Sequence, residues 1–198
     1  MLIDNTGLLR NFDGINLSCM SWLIKELSIP RPLQYLHGRS ASLRELCLNY
    51  GLVLAAGLAF TYAIHNEPWS PVRKILLLLL AIDIAGGVIS NLTAGTKRFY
   101  NKDTRVRILF ICLHILQPLL MILLFPQHTI SIGLMAIYTL GAAYYLNRIL
   151  YAPHQRVVAA CLLTAGIIGT LFTDLPPVMN VLLLLFQVKL IVSFSIKW

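Results

Sequence analysis

Three ionisable residues lie inside long apolar stretches of the chain: Asp83, His114 and Lys189. On insertion scales such a group costs about 2.5–3.5 kcal/mol at the centre of a membrane helix, so each needs a reason to be there. A carboxylate that orients an imidazole is a common acid–base arrangement. Asp83 and His114 sit on consecutive stretches joined by one loop, and comparison of their depths predicts them within hydrogen-bond reach. Lys189 lies at a depth similar to that of Asp83. Its long stem either reaches towards the membrane surface or forms an ion pair that keeps Asp83 charged and Lys189 protonated. The catalytic candidates are therefore Asp83, His114 and Lys189.

Around Asp83 the helical neighbours are Gly86, Gly87, Ser90 and Ala94, with Asn91 beside them. This small and polar face lets another helix or a substrate approach the backbone. Gln117 lies at the midpoint of the following stretch. Residues 93–107 then bring together Lys97, Arg98, Lys102, Arg105 and Arg107, the hydroxyls of Thr93 and Thr96 near Gly95, and the aromatic pair Phe99–Tyr100. Such a loop could grip an anionic head group, a phosphate or a diphosphate, although orientation in the membrane alone explains most of its charge. The substrate-binding candidates are Asn91, Lys97, Arg98, Tyr100 and Gln117. Paired Asp-rich motifs that would hold magnesium are lacking. His65, Glu67, His128 and Asp174 are spread over the loops at the opposite end without helical i,i+4 spacing, so no metal site is expected. The sequence leaves any cofactor unidentified.

The elements that position these residues follow from composition. Of 198 residues, 58% are hydrophobic and 12% charged, whereas soluble domains carry about 25% charge. Disorder, which requires low hydrophobicity, is excluded as well. Six stretches, 46–64, 75–93, 108–125, 129–147, 157–172 and 178–196, approach the roughly 20 apolar residues that a helical span needs, and 157–172 is the shortest. Thirteen Lys and Arg residues flank one side of these spans and two, Arg73 and Lys74, the other. By the positive-inside rule both termini are cytoplasmic. The net charge of +8 is thus an orientation device. Nucleic-acid binding is excluded because no basic soluble domain exists.

Residues 1–45 form a cytoplasmic or interfacial segment, and 46–198 the transmembrane domain. Within the first, 15–29 reads as an amphipathic interfacial helix with Ser18, Ser21, Lys25 and Ser28 on its polar stripe, closed by Pro30 and Pro32. The expected fold is an all-α, six-transmembrane-helix bundle preceded by that helix, in a bacterial inner membrane. Cys19, Cys47, Cys112 and Cys161 read as small hydrophobes rather than a disulfide framework.

The function expected first is a small membrane enzyme acting on a lipid or isoprenoid-like substrate, with Asp83 and His114 in acid–base roles and the bilayer as its partner. A proton-coupled carrier, for which six spans suffice, alone or as a homo-oligomer, and a non-catalytic subunit of a membrane complex are the alternatives. Fold class alone does not separate them.

Overall fold

The computed structural model of the protein describes residues 25–100 and 103–197. Its helices are α1 (Gln34–His37), α2 (Leu43–Ile64), α3 (Pro71–Ser90), α4 (Ala94–Tyr100), α5 (Thr104–Leu113), α6 (Leu116–Leu124), α7 (Thr129–Arg148), α8 (Gln155–Leu171) and α9 (Pro177–Gln187). A π-helical segment, Val188–Phe194, continues α9.

Local chemistry sets the helix starts. Ser42 and Glu45 form a reciprocal capping box at α2, which satisfies two otherwise orphaned backbone donors. Ser70 caps α3 with Pro71 at its first position, where a proline loses no hydrogen bond. Asp103 accepts from Arg105 N at 2.8 Å and opens α5. The main core lies between α3 and α9, where Leu77, Ala81 and Ile84 pack with Met179, Leu183 and Phe186 in one fully buried cluster. α2 is the outlying element: it packs chiefly along α3 and keeps most of its apolar surface outward.

All six apolar stretches are helical, but fewer than six spans are established. Leu43–Ile64, Thr104–Leu124, Pro126–Arg148 and Pro177–Phe194 are long and apolar enough to cross a membrane. A fifth is added if Pro71–Ser90 is taken together with Ala94–Tyr100, which bends from it by 90°. α8 has 17 residues, about 25 Å of helix against a hydrocarbon core of about 30 Å. These helices make the fold all-α, and their length and composition are compatible with a chain that crosses a membrane several times.

The expected interfacial helix over 15–29 is not what its described part forms. Residues 15–24, with Cys19, lie outside the described residues. Glu26–Ser28 is a short strand, β1, paired antiparallel with β2, Ser40–Ser42. Pro30 biases Ile29 towards extended backbone, and Ile29 N donates to Arg39 O at 3.0 Å, so the ladder takes the backbone groups that a helix would have used. Cys112 and Cys161 face outward rather than into the core.

Candidate functional site

α3 carries Asp83 about two-thirds of the way along its length. From the last helix Lys189 reaches across and donates through Nζ to Asp83 Oδ2 at 3.2 Å and to Asp83 O at 3.3 Å. Gln117 Nε2 donates to the same carboxylate oxygen. The two charges sit in unequal surroundings: the Lys189 side chain is 4% exposed and that of Asp83 54%. Gly87 makes the pairing possible. A Cβ at this position would stand 2.2 Å from Lys189 Cε and 2.8 Å from its Nζ, so only the bare backbone leaves a track for the ammonium. The small face read around Asp83 therefore seats a lysine at Gly87, while Gly86, one residue earlier, faces Val53 of α2.

His114 approaches Asp83 differently from the expectation. The structure gives the pair no hydrogen bond; His114 Nδ1 instead binds Phe110 O at 2.7 Å. A carbonyl only accepts, so Nδ1 carries the proton and Nε2 keeps the lone pair. The cause is Pro118. It has no N–H to give to His114 O four residues back, and the helix breaks at His114–Ile115, with three-residue bonds from His114 N to Ile111 O and from Ile115 N to Cys112 O. At the end of α5, His114 is held by its own preceding turn.

Asp83, Lys189 and His114 border one cavity of about 280 Å³. Ser90 and Asn91 at the end of α3 and Tyr100 of α4 extend its polar lining, and Leu36, Phe110 and Leu113 supply apolar wall. Asn91 is 3% exposed, and its amide nitrogen has no hydrogen-bond partner. Tyr100 is buried against Phe110 and Phe194, with ring centroids 4.7 and 5.4 Å apart, and its hydroxyl donates to Tyr35 O at 3.1 Å.

That last bond belongs to a strap, residues 34–42, whose Tyr35 and Leu36 border the cavity. Thr96 donates to Leu36 O at 3.0 Å, and the strap backbone lies directly on α4. Gly38, at φ +73°, would put a Cβ 2.1 Å from the Gly95 carbonyl, and a Cβ on Gly95 would meet Ser40 O at 2.1 Å. Here glycine answers both the positive φ and the close approach. His37 is buried with Nε2 3.1 Å from the Tyr50 hydroxyl, and burial pushes its pKa below the ordinary 6.5. Glu26 at the strap's ladder is held below its usual carboxylate value by the Ser40 hydroxyl and then by Arg98.

The basic loop is largely committed to the protein itself. Lys97 Nζ donates to the carbonyls of Ser193 and Ile196, both at 2.6 Å, capping the end of the last helix where cations are favoured. Arg107 is buried, bonds Asn147 Oδ1 at 2.7 Å and Phe194 O at 3.1 Å, and lies over the Phe194 ring. Arg98 pairs with Glu26 at 3.4 Å. Thr93 donates to Ser90 O at 2.8 Å. Of the five substrate-binding candidates, Asn91 and Tyr100 line the cavity, Gln117 holds Asp83, and Lys97 and Arg98 are outside the lining. Lys102 lies outside the described residues.

Tyr35, Leu36, Phe110 and Leu113 also line the cavity, and no local pattern marks them apart from Pro118, which accounts for the break that follows Leu113. At the opposite end, His128 and Asp174 border a shared surface depression, while His65 Nδ1 binds Tyr62 O. Among the described residues no three His, Cys, Asp or Glu side chains form a metal-binding group. Compared with protein-family models, curated proteins and solved structures, the chain matches none.

Proposed function

We propose that the protein is a small integral membrane enzyme that works on a lipid or isoprenoid-like substrate by acid–base chemistry at Asp83 and His114. The observation that carries this reading is where the ion pair sits. Asp83, about two-thirds of the way along α3, is half exposed and borders the same cavity as the exposed Leu113. An ion pair that only held helices together would bury both partners, since a charge facing hydrocarbon is expensive. An exposed carboxylate at that depth suits a substrate that arrives from the bilayer.

In this reading Lys189, behind Asp83, keeps the carboxylate ionised and aimed, Gln117 fixes its rotamer, and His114 Nε2 is the neutral base. The chain crosses the bacterial inner membrane six times with both termini in the cytoplasm, which the basic residues on one side support. α8 then spans by local thinning of the bilayer, at a modest cost.

The test compares lipid profiles of cells expressing wild type or Asp83→Asn at equal membrane abundance. A species that appears or disappears only with wild type is the expected result. Matching profiles from equally abundant, folded proteins reject the enzyme reading.

A further inference from the structure

Resting on the enzyme reading, we infer that the cavity selects an uncharged lipid alcohol, with the hydroxyl head inside and the tail left in the bilayer. Charge is the first argument. Among the described residues the acidic and basic side chains of the lining are Asp83 and Lys189, one of each sign, and three neighbouring cations are engaged elsewhere: Lys97 on helix-end carbonyls, Arg98 on Glu26, Arg107 on Asn147 and Phe194. An anionic head would bring a charge for which the described lining offers no cation beyond the one paired with Asp83.

Hydrogen-bonding character is the second argument. His114 Nδ1 is used on Phe110 O, so Nε2 needs a donor. Asn91, buried and bordering the same cavity, has an amide nitrogen that lacks an acceptor. A hydroxyl is the simplest group that donates and accepts at once. A carbonyl head would satisfy Asn91 and leave His114 empty.

Size is the third. About 280 Å³ falls just under the ~300–1,000 Å³ usual for ligand pockets. That holds a head and the first few carbons, so the remaining chain passes out beside Leu113, which is 56% exposed.

The experiment uses the full-length protein in lipid nanodiscs and three photoreactive probes that share one diazirine-bearing alkyl chain and end in a hydroxyl, an aldehyde or a phosphate. Labelled peptides are mapped by mass spectrometry. The hydroxyl probe is expected to label the segment containing Phe110–His114 saturably and above the other two. Asn91→Leu should weaken it about tenfold, the worth of one hydrogen bond. Leu113→Trp, a change at an exposed position that leaves folding intact, should block the opening to all three probes. Equal or stronger labelling by the phosphate probe overturns the inference, as does hydroxyl labelling that is absent or indifferent to both substitutions. Failure of the enzyme reading is read separately: hydroxyl-selective labelling with lipid profiles indifferent to Asp83→Asn leaves a binding site without catalysis, whereas Asp83-dependent profiles with phosphate-selective labelling leave an enzyme for a different head group.

Discussion

Substituting Gly87 by alanine tests whether that glycine is present to seat Lys189. In wild type the added Cβ would stand 2.2 Å from Lys189 Cε, so the lysine stem must leave its track and Nζ loses both bonds to Asp83. A fully buried ion pair broken on one side costs about 3–5 kcal/mol. Asp83 is half exposed and can be solvated or protonated, so the smaller figure for an unsatisfied polar group, about 1–3 kcal/mol, applies. Alanine in place of glycine inside a helix returns about 1 kcal/mol. Gly87→Ala should therefore destabilise by about 0–2 kcal/mol. In a Lys189→Ala background the obstruction is gone, and the same substitution should stabilise by about 1 kcal/mol. The sign change is the signature, read from reversible unfolding of the four proteins in mixed detergent–lipid micelles. An equal effect in both backgrounds would refute the role given to Gly87.

Three other outcomes follow from the same geometry. Lys97→Met removes the donor from the Ser193 and Ile196 carbonyls; amide exchange over 194–197 should accelerate at least about tenfold, with α3 and α9 unchanged. Restoring the backbone N–H with Pro118→Ala should mend the break at His114–Ile115, keep or raise stability and lower activity, seen as a lost wild-type lipid signature despite a more stable protein. For the strap, the His37 pKa is lowered by burial, so its contribution to docking is complete above about pH 6.5 and declines as pH falls through the depressed folded value. Exchange over 34–42 should rise between neutral pH and about pH 5, and His37→Gln should abolish that pH dependence.

How much of this was legible in the sequence depends on the range of the interaction. Helix positions were legible, because runs such as 75–81 admit no alternation of polarity. The similar depth of Asp83 and Lys189 also followed from counting along helices, and the structure joins them. The bond expected between His114 and Asp83 failed because depth does not fix rotamer, and the break caused by Pro118 ties the imidazole to its own turn. What the loop 93–107 contacts was not legible for a related reason. Its charge is visible in composition, but the carbonyls that absorb Lys97 and Arg107 come from residues 193–196, nearly a hundred positions away, and no local pattern announces them. The ladder at 26–28 likewise depends on a partner strand supplied by 40–42. The number of spans turns on α8 and on the bend after α3, where length and composition alone are marginal.

The most direct test of the central claim uses purified, full-length protein reconstituted with a total lipid extract from cells that express it, followed by mass spectrometry of the lipids over time. Wild type should consume one lipid species and form another, with Asp83→Asn and His114→Gln reduced by at least about a hundredfold, the usual contribution of a positioned acid or base. Equal lipid compositions with and without folded wild-type protein would contradict the account.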